Sequence, residues 1–547
     1  MEHYLKRLQE ATRKYWDKSA LNTWQGEGFT YGQVATSIER YHIFFRDAGF
    51  SKGEHFALCG KNGAHWGITY LAINTYEAVV VPILNDFTPE SVENLTDHSD
   101  SVILFTDEAK WKTLEISRMP KLRLVFDFET LRILWCKDSF ISAAYASLDK
   151  AFSEKWPDGY GPNDVAFPVD NWDDLAVINY TSGSTGNPKG VMLTYRNFSA
   201  NVDYSQRNVP SSDKFRMVSM LPMAHMYGLV IEFIYPLCNG TAIYWLGKAP
   251  TPTTLLKCMA DVKPYLLITV PLVMEKIFKS KIEPVVNKPL MKAATSIPGI
   301  KNLVFKKIRE GLVNAFGGEV QQFIMGGAAL NPEVEGWFKK IKLPYLVGYG
   351  MTEACPLLAY KHWTKYVAGS CGEPVDCADV RIDSSDPHHV VGEIQAKGDN
   401  ICIGYYKNPE ASANAFTEDG YLRTGDLGIM DEEGNIFIRG RSKSMILGPS
   451  GQNIYPEEVE AVVNNQPYVT ESVVVDRGGK IVALVYLDKN MIEANRLDAE
   501  AISDIPENIK VSSNKRLPAY SRIAQVEVRD EPFEKTPKMS IKRFLYK

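Results

Sequence analysis

The sequence predicts an α/β protein with a parallel sheet covered by helices, an antiparallel barrel-like unit after it and a small α+β unit at the C-terminus. Three observations carry that prediction. The first half alternates short apolar strands with helical stretches, the pattern that places parallel strands under crossover helices. After about residue 360 the strands shorten and are broken by glycine and charged turns. Beyond Arg441 helical and strand stretches mix again on a smaller scale. With 547 residues, 45% of them hydrophobic, the chain can build several cores, as three or four domain-sized units.

HFALCG (55–60) reads as a strand that runs into KNG. GITYLAINTYEAVVVPIL (67–84) is the most apolar run. Asn74, Glu77 and Pro82 divide it into helix, turn and buried strand and argue against a membrane span. Thr88-Pro89-Glu90 opens a helix, with a capping hydroxyl and then proline at the first helical position. SVILF (101–105), AVINY (176–180) and LLITV (266–270) are further strands, and Pro271 opens the helix LVMEKIF. VRID, VGEIQAKG, ICIGYY and NIFIRG are the short strands of the barrel-like unit. PEEVEAVVNNQ (456–466) is a helix with Val459, Val462 and Val463 on one face, and ESVVVDR, KIVALVYL and IAQVEVRD are strands.

The net charge of −5 gives no electrostatic footprint for nucleic acid. An anionic ligand must therefore be held by a local site. The eight cysteines are scattered and form no CxxC pair, and Cys371 and Cys377 fit no zinc spacing. They read as reduced thiols. The first twenty residues are charged throughout, without the apolar core of a signal peptide. A cytoplasmic protein without a transmembrane segment is expected, with peripheral membrane contact left open.

Six segments carry chemistry. TSGSTGNPKG (181–190) follows the AVINY strand. It is not a Walker loop: counting from Gly183 the sixth residue is Pro188, and Gly190 follows Lys189. Yet Gly183, Gly186 and Gly190 let backbone amides approach oxyanions. Thr181, Ser182, Ser184 and Thr185 add hydroxyl donors, and Lys189 adds a positive charge. A surface turn is the alternative. The others are LPMAHMYG (221–228), MGGAAL (325–330), VGYGMTEACP (347–356) and GYLRTGDLG (420–428), followed by GRSKSMILGPSGQNIYPEEVE (440–460).

In this order the segments resemble the adenylate-forming (AMP-binding) superfamily of acyl-CoA synthetases, peptide-synthetase adenylation domains and luciferases. The resemblance runs from about residue 25 to 547. LPMAHMYG and the tail TPKMSIKRFLY make it most like a bacterial long-chain fatty acid–CoA ligase. It implies an acetyl-CoA synthetase-like fold. Two doubly wound α/β subdomains reach to about residue 360 and a β-barrel subdomain spans about 361–439, together forming an N-terminal domain, 1–439. A mobile α+β domain, 440–547, swings about a hinge near Lys443. It also implies roles. The 181–190 loop holds phosphate, and His225 sits near the substrate carboxylate. Gly327 and Ala328 leave room for adenine, Tyr349 stacks on that ring, and Gly350 and Met351 line it. Thr352 binds phosphate, Glu353 holds Mg, Asp426 accepts the ribose hydroxyls and Arg441 contacts ribose or phosphate. Gly448 and Gly451 line the thiol tunnel. Mg, ATP and CoA are the implied cofactor and co-substrates, and the partner is a fatty acid.

The tail departs from the family pattern. A lysine is expected in a run like PKTxxGKIxR, but anchoring on Lys535-Thr536 and Ile541-x-Arg543 puts Ser540 there. Three readings compete: Lys538 or Lys542, each two residues away, supplies the charge; adenylation is slow; or the chain only binds its ligands. The expected reaction is formation of an acyl-adenylate with release of pyrophosphate, then attack by the CoA thiol and release of AMP. The rivals are delivery of the acyl group to a carrier protein and a catalytically impaired binding protein. The sequence sets neither the preferred acid nor the oligomeric state.

Overall fold

A computed structural model of the chain describes residues 1–181, 188–248, 251–297, 300–447, 452–535 and 541–546. Seven strands form the first sheet. In spatial order they are Arg132–Cys136, Leu124–Asp127, Ile103–Phe105, His55–Gly60, Val79–Leu84, Leu175–Thr181 and Lys189–Thr194. The inner five run parallel, and each edge strand is antiparallel to its neighbour. Helices cover both faces, so the inner strands are apolar on both sides; Val79–Leu84 is buried throughout. Thr88 caps the helix Pro89–His98, its hydroxyl accepting from Ser91 N at 3.3 Å.

The second α/β unit is made of two sheets joined edge to edge. One has the order Arg216–Val218, Ala242–Trp245, Ser19–Thr23, Gly28–Thr30, and the other is the parallel trio Leu266–Thr269, Gln322–Met325 and Tyr345–Val347. Tyr265 N donates to Arg216 O (3.2 Å) across the seam. The helix opened by Pro271 ends at Ile277 and runs on as a wider π turn over Phe278–Ile282.

The chain then turns antiparallel. Tyr349–Gly350, Leu357–Tyr360 and Glu373–Pro374 pair as one small sheet, and Ala378–Asp383, Gly392–Gly398, Leu422–Met430 and Ile436–Arg441 form a meander beside it. One expectation fails here: ICIGYY is not a strand. Gly404, at φ +132°, breaks its extension. The segment instead lies along the edge strand Lys189–Thr194, with Met192 N donating to Gly404 O (2.9 Å), Tyr406 N to Gly190 O (2.8 Å) and an isolated bridge at Val191–Tyr405. This covers an open sheet edge.

The C-terminal unit packs the helices Pro456–Val463 and Ala499–Asn514 on the sheet Val469–Arg477, Lys480–Leu487, Gln525–Arg529. It meets the N-terminal part through Asn331 Nδ2 to Asn465 Oδ1 (2.6 Å) and Arg516 to Glu333 (2.5 Å). Among the described residues, no helix is long and apolar enough to cross a membrane.

Candidate active site

The strands Leu175–Thr181, Leu266–Thr269, Gln322–Met325 and Tyr345–Val347 end in or beside the segments singled out in the sequence. In α/β sheets, ligands bind outside such carboxyl ends. Thr181 and Lys189 face each other as a cross-strand pair, and Tyr180 pairs with Gly190. The loop is therefore closed at its base by an antiparallel hairpin. Ser182, Gly183, Ser184, Thr185 and Gly186 lie outside the described residues.

The strand before that loop also holds the His225 segment. Asn179 Nδ2 donates to Ala224 O (2.9 Å), and both groups are buried. Asn62 grips the segment's start twice, donating to Leu221 O (2.7 Å) and accepting from Met223 N (2.9 Å). Tyr227 reaches the ends of two parallel strands, with its hydroxyl 3.5 Å from Thr269 O and 3.4 Å from Ile324 O. A Cβ on Gly326 would stand 3.2 Å from the Tyr227 ring. His225 is partly exposed and begins a helical turn through its carbonyl, which accepts from Leu229 N (2.8 Å). Glu232 is fully buried on the π-helical stretch Gly228–Ile234. Its Oε2 accepts from Ser219 Oγ (2.9 Å), Met220 N (3.1 Å) and Leu221 N (2.9 Å), whereas Oε1 has no partner. Burial pushes this carboxyl up to about 8 against those three donors.

Gly327, Ala328 and Gly350 are exposed and Met351 is half-buried. Gly327 and Ala328 follow the strand Gln322–Met325, and Gly350 and Met351 come shortly after its neighbour Tyr345–Val347, with Gly348 N donating to Met325 O (2.8 Å). Gly350 has a steric reason: a Cβ there would lie 2.2 Å from Pro356 O. Tyr349 is buried, and its hydroxyl donates to Asp426 Oδ2 (2.8 Å). Asp426 pairs across strands with Arg441, whose Nε is 3.0 Å from Oδ1. Burial raises the Asp426 carboxyl above its ordinary range, and Arg441 opposes the shift. Each oxygen of Asp426 keeps a further lone pair for a ligand hydroxyl.

Thr352 and Glu353 lie buried on the short 3₁₀ turn after Met351. Tyr405 donates its hydroxyl to Glu353 Oε1 (3.0 Å), and Lys189 Nζ sits 4.8 Å from the centre of the Tyr405 ring. Tyr405 thus joins the end of the loop hairpin to the carboxylate expected to hold Mg. This residue went unnoticed in the sequence because ICIGYY reads as an ordinary strand. Asn62, Asn179 and Glu232 were missed as well, although a lone polar residue inside an apolar run is a signal for the last two.

Lys443 is exposed in the turn Ser442–Ser444, held where Ser442 N donates to Gly425 O (2.9 Å). Gly448, Gly451, Lys538 and Ser540 lie outside the described residues. The tail's flanks are clasped. Lys535 pairs with Glu471 and bridges to Ile541. Lys542 N donates to Glu534 O (2.9 Å), and its Nζ lies 3.4 Å from Glu534 Oε2. Arg543 forks onto the buried Glu460, with Nη1 2.7 Å from Oε1.

Two family models match the chain: the AMP-binding enzyme over residues 8–406 and the AMP-binding enzyme C-terminal domain over 443–546. A long-chain-fatty-acid–CoA ligase of Bacillus subtilis is 28% identical over 534 residues, covering 91% of this chain and 88% of its own. Long-chain-fatty-acid–CoA ligase 4 of Saccharomyces cerevisiae is 32% identical over 348 residues, 59% of this chain and 47% of the yeast protein, so the match spans about half of that relative's length. Among solved structures, ATP-bound MatB from Rhodopseudomonas palustris superposes with a TM-score of 0.76 at 22% identity, covering 98% of this chain and 97% of that one. The o-succinylbenzoate CoA synthetase of Bacillus subtilis with its acyl-adenylate superposes with a TM-score of 0.75 at 20% identity, over 100% and 98% of the two chains. These two likenesses speak to the fold.

Proposed function

We propose, for a chain that belongs to the AMP-binding enzymes, that it activates a fatty acid with ATP and passes the acyl group to CoA. The supporting observation is the way one short stretch, Tyr349–Glu353, ties two clusters together. Tyr349 holds Asp426 and Arg441 at one end, and Glu353 meets Tyr405 and Lys189 at the other. A nucleotide laid along this stretch has ribose acceptors at Asp426 and a cation and a carboxylate at its phosphates. Two relatives that match most of the chain carry this CoA-ligase activity in their names.

In the first step the acid's carboxylate attacks the α-phosphate and pyrophosphate leaves. Such displacement relies on positioning and charge neutralisation more than on covalent help. We assign Lys189 and the loop it closes to the leaving pyrophosphate, Thr352 to phosphate, Gly327, Ala328, Gly350 and Met351 to the adenine floor, and His225 to the carboxylate end of the acid. Glu353 suits Mg, which prefers one or two carboxylates completed by phosphate oxygens. The described residues contain no cluster of three His, Cys, Asp or Glu that would hold a metal without the nucleotide. When bound, the ion neutralises phosphate charge. In the second step we assign a swing about Lys443, where the C-terminal family match begins, and thiol access past Gly448 and Gly451. Of the tail lysines we assign Lys538 to the charge that Ser540 lacks. All eight cysteines are free thiols, which suits a reducing compartment, and we place the enzyme in the cytoplasm.

The test is AMP release from ATP with palmitate, with and without CoA. AMP that needs both acid and CoA supports the ligase. ATP binding without AMP release, across a panel of acids, overturns it. A large gain on Ser540→Lys would mean that the native tail is defective.

A further inference from the structure

We propose that Glu232 is a positioning residue for the acid: through its side chain it sets where the His225 segment stands when a fatty carboxylate is bound and activated. The proposal deepens the ligase reading, in which His225 meets that carboxylate, and rests on it.

The segment begins where the strand Arg216–Val218 ends. Ser219 N still bonds the neighbouring strand, donating to Tyr244 O (2.9 Å). Beyond it the ladder stops, and the N–H groups of Met220 and Leu221 need other acceptors. Glu232 Oε2 takes both, at 3.1 and 2.9 Å, and the buried Ser219 hydroxyl with them at 2.9 Å. One oxygen therefore ties three successive residues. Other elements hold the chain from there on. Asn62 bonds Leu221 O and Met223 N, and Asn179 bonds Ala224 O. His225 N donates to Pro222 O (3.0 Å). Every residue from Ser219 to His225 is thus fixed through its backbone or its hydroxyl. Met223, Ala224 and Met226 are buried, so what the held segment presents is the partly exposed His225.

A buried acid needs a reason, because removing a carboxyl from water is unfavourable unless it is well bonded. The stretch GLVIEFI is otherwise apolar, and a leucine would fill the space. What the glutamate adds is an acceptor on a wide π-helical turn, a form that recurs at functional sites. The turn is pinned on both sides. A Cβ on Gly228 would stand 2.6 Å from Pro222 O, and one on Gly67 of the helix Ala64–Thr75 would stand 2.9 Å from the Phe233 ring. Oε1 has no partner among the described residues, and burial keeps the carboxyl protonated at neutral pH. The group that holds the segment is then a neutral acid whose Oε2 accepts as an amide oxygen does. Glutamine reproduces it. Leucine matches its size and lacks the acceptor.

The residues assigned to the nucleotide hang on other supports: Tyr349 on Asp426, and Glu353 on Tyr405. Loss of the Glu232 acceptor should therefore move His225 and leave the nucleotide's contacts in place. A role in folding alone would weaken both ligands together.

The experiment measures two affinities of the full chain at pH 7, labelled palmitate by equilibrium dialysis and ATP by calorimetry, together with kcat and KM in AMP release. Glu232→Gln should keep both affinities within about twofold of wild type. Glu232→Leu should weaken palmitate about tenfold, lower kcat by up to about 10² and leave ATP binding within about twofold. Ser219→Ala removes one of the three donors and should weaken palmitate about threefold; it carries the test if Glu232→Leu does not fold. Unchanged palmitate affinity in whichever of these two variants folds would overturn the proposal. So would an equal loss of palmitate and ATP affinity, a Glu232→Gln as impaired as Glu232→Leu, or a wild type that does not bind palmitate. Dialysis involves no turnover, so a wild type that binds palmitate and releases no AMP refutes the ligase while the affinities still decide the role of Glu232.

Discussion

Glu232→Gln isolates one buried charge bonded to the start of the His225 segment. The wild-type carboxyl is fully buried and pushed up from 4.5 to about 8. Between those values the native state holds a proton that the unfolded chain has released. Stability due to this group therefore falls as pH rises through the window and levels off above it. The slope is about 1.4 kcal/mol per pH unit while the native group stays protonated, so the move from pH 6 to pH 8 costs about 2 kcal/mol. The proton has an evident seat on Oε1, the oxygen without a donor, while Oε2 keeps Ser219, Met220 and Leu221. Glutamine can offer its carbonyl oxygen to the same three donors but cannot ionise. For a cooperative unit of roughly 400 residues the unfolding entropy is about 0.8 kcal/mol/K, which turns the cost into about 2–3 °C. The assay is the melting temperature of wild type minus that of Glu232→Gln at pH 6 and pH 8, at one scan rate. The difference should fall by about 2–3 °C at the higher pH. An offset that stays within about 1 °C at both values would refute the reasoning, since it would put the native carboxyl in its ordinary range.

Tyr405→Phe removes the hydroxyl that orients Glu353 and should raise the Mg concentration needed for half-maximal adenylation about tenfold, read by pyrophosphate exchange. Lys189→Ala should slow that exchange by about 10²–10³ while thiol transfer from a supplied acyl-adenylate changes less. Lys538→Ala should slow exchange far more than Lys542→Ala, and equal losses would return the assignment to an open choice. Arg543→Ala leaves Glu460 buried without its cation, so the C-terminal unit should lose about 2–4 kcal/mol in urea unfolding and exchange should fall with it.

Much of the fold was legible because its strands are apolar on both faces and its helix starts carry local signals. Val79–Leu84 and the Thr88 cap follow from the sequence alone. ICIGYY was not, since its apolar residues suit a strand and only tertiary packing shows that Gly404 bends the segment along a sheet edge. The site was legible where residues are contiguous, as in Tyr349–Glu353. It was not where side chains meet across long separations. Tyr405 reaches Glu353 over 52 positions, Asn62 grips Leu221 over 159, and neither tyrosine nor asparagine marks such a partner in advance. Glu232 is the intermediate case: an acid inside GLVIEFIYPL is visible as an anomaly, but the three donors that hold it are not.

The tail shows how magnitudes choose between two lysines that spacing alone leaves equivalent. The pair between Lys542 and Glu534 is 3.4 Å long with side chains 35% and 66% exposed, so it contributes at most about 1 kcal/mol and would yield to a phosphate. What fixes Lys542 is its backbone. Its N–H is bonded to Glu534 O, and the preceding residue bridges to Lys535. The anchors on either side are stronger, because Arg543 and Glu460 form a forked, largely buried pair and Lys535 is paired with Glu471. Lys542 therefore sits at the clasped base. Residues 536–540 are the stretch between the anchors, and Lys538 is at its middle. A cation that must reach a phosphate in one step and withdraw in the next is poorly served by a backbone pinned at that base, and the charge is assigned to Lys538 by elimination of Lys542.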